Sequence, residues 1–298
     1  MKAIRLFVTL IILLIAFGAA LYTQRVDVME WYREVTTPVL PEAVGYEKAV
    51  EGVKAVEVVE GEEEVEEDVV LVIPSEATPG SEVEGSLVYE PTDPSASDSQ
   101  SSSSGRDDTQ INLAVPFTSQ APHANWDAPY KEMCEEASVY MVHRFYEGTP
   151  DGLMNADESD RDLLQILAFE MELFGFYEDT TAEQTATLTE LMFGHTTELI
   201  ENPSVDDIKA HLLLGHPVIV PAAGRELGNP YFTAPGPIYH MLVIRGFTED
   251  DQFIVNDPGT YRGEAYLYDF DILMNAMHDW NNGGEITEGR KVVIVLTP

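Results

Sequence analysis

The chain has 298 residues, 44% of them apolar, which is room for a buried core in one good-sized domain or two small ones. Its 53 acidic against 16 basic side chains give a formal charge of −37, which speaks against binding nucleic acid through its phosphates or docking on anionic lipid head groups. The single cysteine, Cys134, rules out an intrachain disulfide framework, a cysteine zinc knuckle and an iron–sulfur site, and leaves one candidate for any sulfur chemistry.

Leu6 to Tyr22 is a continuous run of apolar and small residues preceded by Lys2 and Arg5. A positive start before an apolar stretch reads as a signal peptide or a short membrane anchor, with the amino terminus inside and the rest of the chain exported. Gly18-Ala19-Ala20 offers small residues for cleavage, and no cysteine follows the run to carry a lipid. We therefore take residues 1–24 as the signal or anchor. Trp31 and Tyr32 lie in a short amphipathic piece that suits a membrane interface. Val44 to Glu76 is mainly Val, Glu, Gly and Ala with the acidic clusters Glu62-Glu63-Glu64 and Glu66-Glu67-Asp68, and a serine run ends at Gly105. Few aromatics and high charge bury too little surface to offset chain entropy, so residues 25–110 read as a juxtamembrane segment and a disordered acidic spacer.

Near Asn112 the composition changes to that of a packed domain, assigned to residues 111–298. Leu113 to Phe117 reads as a strand. The apolar spacing predicts helices over Cys134 to Tyr146, Asp160 to Phe174 and Thr180 to Phe193, the last capped by Thr180 with Glu183 three residues on. A fourth helix is capped by Ser204 with Asp207 in the matching position and ends at Gly215. Strands follow at Val218 to Val220, His240 to Phe247, Phe253 to Val255 and Lys291 to Leu296. Helices first and strands second point to an α+β domain with an antiparallel sheet.

Cys134 is predicted at the start of its helix, where unpaired amides and the helix dipole favour a thiolate. Glu135 and Glu136 oppose this, unless a histidine stands by and the glutamates point into water. On that expectation the thiol pKa falls below its free value. Of the seven histidines, His143 is too far along the cysteine's own helix, and His123, His195, His211, His216 and His278 lie in loops or at helix ends. His240 instead opens the apolar strand Met241 to Ile244. A hairpin through Glu249-Asp250-Asp251 sets Asp257 diagonal to His240, although a one-residue slip would place the two on opposite faces. Asp257-Pro258-Gly259 is also a good turn in its own right. Gln120, in Pro116-Phe117-Thr118-Ser119-Gln120, is a neutral amide of the kind that stabilises an oxyanion.

Four segments in order, VPFTSQAP, CEEASVYM, YHMLVIRGF and FIVNDPGT, resemble the papain-like family of C39-type cysteine peptidases, in its C39-like branch found in exported bacterial proteins. The resemblance implies a papain-like fold with Cys134 as nucleophile, His240 as general base and acid, Asp257 as orienter of the imidazole and Gln120 as oxyanion donor. It implies a peptide or amide substrate, no cofactor and no metal. The bacteriocin-processing peptidases of the family carry the glutamine much closer to the cysteine, and no transporter region stands in these 298 residues, so a leader-peptide exporter role is not carried over. A transferase using an amine in place of water shares the same residues, and a non-catalytic papain-like module displayed on a stalk is the reading from another class. The stretch Gly263 to Trp280, ending His278-Asp279-Trp280, has no assigned role at this stage.

Overall fold

The computed structural model describes residues 39–51 and 110–298. The apolar run and the acidic clusters lie outside the described residues. Among the described residues no helix is long and apolar enough to cross a membrane.

The core is an antiparallel sheet. Its strands are β1 (Ile111–Asn112), β2 (Thr196–Glu201), β3 (Val218–Ala223), β4 (Tyr239–Phe247), β5 (Gln252–Asn256), β6 (Tyr266–Asp269) and β7 (Val292–Thr297), in the order β2-β7-β3-β4-β5-β6 with β1 laid against β4. β3 and β4 are buried along their whole length, as continuous apolar runs in central strands require. The helices are α1 (Cys134–Tyr146), α2 (Ala156–Phe174), α3 (Ala182–Phe193), α4 (Val205–Leu213) and α5 (Phe270–Ala276). α1 packs on β4 and against α2 and α3. One of its sides joins the main core through Val139, Val142 and Phe145, and another meets Leu163, Ile166 and Leu188 through Ala137 and Tyr140.

Most boundaries follow from capping chemistry. α1 keeps its predicted bounds, whereas α2 starts four residues earlier because Asn155 caps it by accepting from the Glu158 amide. α3 is capped by Thr181 with Gln184 in a capping box, one residue beyond the predicted Thr180, and Ser204 and Asp207 form the predicted box on α4. The predicted strand at Leu113 to Phe117 is instead an extended segment. Only Ile111–Asn112 pairs as a ladder, followed by single bridges at Leu113 and Phe117. β2, β6 and α5 had no counterpart in the sequence reading.

Residues 43–51 fall in the span the sequence assigns to the spacer, yet they are built onto the domain. Val44 bridges Leu113, and its backbone exchanges hydrogen bonds with Asn112 and Ala114. Tyr46 meets Phe145 and Tyr146 edge to face, and Ala49 is fully buried against Gly215. Composition averaged over Val44 to Glu76 hides this short apolar strap.

The β4–β5 hairpin carries the feature that positions the site. Phe247 pairs Phe253 and Gly246 pairs Ile254, but beyond a bulge at Arg245 the partners become Ile244 with Val255 and Val243 with Asn256. One more step in that register sets Asp257 opposite Leu242, on the face that His240 shares. Without the extra residue Asp257 would stand opposite Val243 and face the other way. The bulge is held from both sides. A Cβ on Gly246 would lie 2.1 Å from the Ile111 carbonyl oxygen, so only glycine lets β1 approach. The buried Arg245 guanidinium donates to Asn112 Oδ1 at 2.9 Å and the Val115 carbonyl at 3.0 Å, and pairs with Asp151 at 2.8 Å.

Two outcomes follow. Gly246→Ala should cost about 2–4 kcal/mol, read as a drop in Tm of roughly 5–15 °C. Ala49→Asp should release the strap and accelerate trypsin cleavage after Lys48 by about tenfold or more, because proteolysis follows local opening.

Candidate active site

Cys134, His240 and Gln120 line one cleft of about 580 Å³. β4 delivers His240 at its second residue and Asp257 follows directly on the last residue of β5. His240 Nε2 and Asp257 Oδ1 are 2.7 Å apart, in a pair 1% and 0% exposed. The imidazole therefore keeps Nδ1 for another partner. Phe232 meets the ring edge to face at 5.3 Å. Gly259 packs against it so closely that a Cβ there would lie 2.8 Å from His240 Cε1. Asp257 is saturated: Oδ1 also accepts from the Gly259 amide at 3.0 Å, while Oδ2 accepts from Tyr268 Oη at 2.7 Å and Asn229 Nδ2 at 3.0 Å. Burial alone would raise this carboxyl, but His240, Tyr268 and Gly259 outweigh it and hold its pKa below the ordinary value.

Asn229 and Tyr268 are functional-site residues that the sequence reading missed. Asn229 lies 28 residues from Asp257, at the root of the loop whose residues Tyr231 to Pro237 wall the cleft. Tyr268 sits on β6, which pairs β5 antiparallel and so brings the phenol back to the aspartate. No local motif announces either residue; only the strand order does.

Cys134 opens α1, as the sequence predicts. The glutamates do not behave as expected. Both were to point into water, and both are buried, Glu135 1% and Glu136 0% exposed. The reason is that α1 is covered on more than one side by sheet and helices, so its first turn has no water to face. The Cys134 thiol donates to Glu135 Oε2 at 3.0 Å. Burial pushes the thiol pKa up, Glu135 adds to this through its hydrogen bond and, when ionised, its charge, and Glu136 adds less, against an opposing hydrogen bond from the Met241 backbone. In this resting arrangement the thiol is thus raised, opposite to the lowered pKa expected from the helix start.

Gln120 is buried and lines the same cleft as Cys134. Its Nε2 donates to the Tyr130 carbonyl at 2.9 Å, its backbone amide donates to the Pro258 carbonyl, and its Oε1 meets no donor among the described residues. Ser119 Oγ also donates to Pro258. The loop bearing Gln120 is in this way tied to the loop bearing Asp257, across more than a hundred residues of chain.

His278-Asp279-Trp280 now has a physical role. Asp279 Oδ1 accepts from the Ala182 amide that opens α3 and from the Trp280 amide, lies 3.3 Å from Tyr239 Oη, which shares its one hydrogen with it, and Arg290 closes on Oδ2 at 3.1 Å. Tyr239 precedes His240, so this clamp fixes the start of β4 against the start of α3. Tyr239 Oη also donates to the Thr180 carbonyl at 2.9 Å.

Among the described residues no cluster of His, Cys, Asp or Glu could hold a metal ion. The profile of the peptidase C39-like family matches residues 112–287. Two solved structures are similar. One is a candidate C39-like peptidase from Bacillus anthracis, 13% identical at a TM-score of 0.42, the match covering 63% of this chain and 98% of that one. The other is a prointerpain A fragment from Prevotella intermedia, 15% identical at a TM-score of 0.41, covering 63% and 71%. No curated protein matches the chain.

The buried acids beneath the cysteine make a pH prediction. Glu136 and Glu170 interact with each other, and burial raises both, Glu170 against a hydrogen bond from Thr180, so the pair is accommodated with a proton on it. Burial raises Glu170 from an ordinary 4.5 to about 7. A raised carboxyl contributes stability that is complete below its unfolded pKa and lost as pH rises through its folded one. Tm should therefore fall between about pH 5 and pH 8, by the equivalent of about 3 kcal/mol at most. Glu170→Gln should flatten that decline.

Proposed function

Because the chain belongs to the peptidase C39-like family, we propose that its folded domain is a thiol hydrolase that cleaves a peptide or amide bond through Cys134, His240 and Asp257. The observation that carries this reading is the buried 2.7 Å His240–Asp257 pair, whose histidine lines the cleft that the one cysteine also lines. Asp257 fixes the imidazole with a proton on Nε2. Nδ1 is then the base that takes the Cys134 proton. The thiolate attacks the carbonyl carbon and His240 returns the proton to the leaving amine. Water, activated by the same nitrogen, then hydrolyses the thioester. Gln120 donates to the oxyanion through the Nε2 hydrogen that Tyr130 does not use.

The cleft also bears on the substrate class. Glu132, Glu135 and Asp179 line it with a single basic residue, Lys131, itself paired with Glu132 at 2.8 Å, and Trp126, Tyr231 and Tyr261 add aromatic surface. With a net charge of −37 over the whole chain, this favours basic or neutral peptide segments over acidic ones. The amino-terminal apolar run supports an exported domain, held at the membrane or released from it, with the site outside the cell.

Iodoacetamide labelling near neutral pH tests the reading. Cys134→Ala should abolish labelling, and His240→Ala should slow it by about tenfold or more, since the thiolate loses its counter-charge. Asp257→Asn should reduce hydrolysis more than labelling. A labelling rate unchanged by His240→Ala would leave Cys134 a packed thiol in a binding module.

A further inference from the structure

The side chain hydrogen-bonded to the Cys134 sulfur is Glu135. It is 1% exposed, and its two oxygens have different partners. Oε1 accepts from the Thr180 amide at 3.2 Å, and Oε2 faces Cys134 Sγ at 3.0 Å. An amide can only donate, so Oε1 is an acceptor and any proton on the carboxyl belongs on Oε2, turned aside while the thiol is the donor. The groups acting on this carboxyl are mostly acidic, and Lys131, on the same cleft lining, is paired with Glu132 at 2.8 Å. Cys134 and Glu136 lie beside it on α1, Glu170 comes from α2, Asp179 from the connection to α3 and Tyr239 from β4, with His240 next in chain. Asp279, itself paired with Arg290, stands behind Tyr239.

We propose that Glu135 is a positioning residue that works as a neutral carboxylic acid, donating from Oε2 to the Cys134 thiolate, and that its ionisation locks Cys134 as a thiol. The inference rests on Cys134 being the nucleophile. In the resting site the thiol donates to Oε2. When the thiol proton passes to His240 Nδ1, the sulfur becomes an acceptor and the carboxyl hydrogen turns onto it. Glu135 keeps its proton throughout, so the sulfur carries the negative charge, the imidazolium the positive one, and no second anion faces the thiolate. Thiolate attack and protonation of the leaving amine by His240 then proceed as above, with the thioester hydrolysed by water. If Glu135 loses its proton, a carboxylate 3.0 Å from sulfur opposes the thiolate, and the hydrogen between them stays on sulfur. Burial, the largest cause, favours the neutral acid and, with the charges of Glu170 and Asp179, outweighs the hydrogen bonds from the Cys134 thiol and the Glu135 backbone, which favour the carboxylate.

The test is the pH profile of Cys134 alkylation by iodoacetamide in the full chain, for wild type, Glu135→Gln, Glu135→Ala and His240→Ala. Wild type should rise, fall as Glu135 ionises, and rise again only in strong alkali. Glu135→Gln keeps a donor that cannot ionise, so its neutral rate should stay within about threefold of wild type and the fall should vanish. Glu135→Ala removes the donor and should move the first midpoint upward by about one unit, or tenfold in rate at fixed pH. Loss of alkylation in Glu135→Gln to the level of His240→Ala would overturn the proposal, because it would make the ionised carboxylate the working form. A single monotonic rise in wild type would overturn it as well, without recourse to any variant. If His240→Ala shifts the profile while both Glu135 variants follow wild type, only this inference fails. If His240→Ala changes nothing, the peptidase reading itself fails.

Discussion

One extra residue in β4 decides which way Asp257 faces. The bulge at Arg245 shifts the pairing with β5 by one position, and that shift lets Asp257 meet His240 on a single face of the sheet. A bulge in a central, fully buried strand needs support, and two neighbours supply it. Gly246 lets the β1 backbone come into contact, and Arg245 reaches under the segment from Asn112 to Val115 to hold it. That same segment leads into the loop of Gln120, which is pinned in turn to Pro258 next to the aspartate. The register, the edge strand and the two site loops therefore depend on one another, so the His240–Asp257 pair is a property of the sheet and not of its loops alone.

The second organising feature is the central position of α1. A helix start is a good place for a nucleophile, since its free amides favour negative charge. Here the helix is also enclosed, and the first turn carries two glutamates into the interior along with Cys134. The cost of burying carboxylates is met by protonation, as the raised values of Glu135, Glu136 and Glu170 indicate. Burial raises the Asp279 carboxyl as well, but there amides and a guanidinium oppose the rise. This carboxylate caps α3 and is paired with Arg290, so negative charge there is offset by amides and a guanidinium. The contrast separates a carboxyl that holds elements together from carboxyls that set the protonation state around sulfur.

Much of this was legible in the sequence, and the exceptions share a cause. Helix α1 has its predicted bounds because its apolar spacing is dense, and the cap of α4 is where Ser204 and Asp207 require it. His240 and Asp257 stood out through a polar residue opening an apolar strand and an Asp-Pro-Gly turn, but their shared face hung on a bulge that no local pattern encodes. Asn229 and Tyr268 reach Asp257 through strand order alone. The inward turn of Glu135 and Glu136 follows from how many elements cover α1, which periodicity does not count. Residues 43–51 were lost in the average composition of an acidic stretch, although Tyr46 and Ala49 are the apolar contacts that dock them.

The central claim is that Cys134 forms a covalent acyl intermediate whose formation depends on the His240–Asp257 pair. Mass spectrometry of the domain, acid-quenched at intervals during incubation with a peptide library, measures this directly. The account predicts an acyl adduct confined to the tryptic peptide containing Cys134, which accumulates and then decays, and which is lost in His240→Ala. Peptide cleavage that persists in Cys134→Ala, with no adduct at any time point, would contradict it.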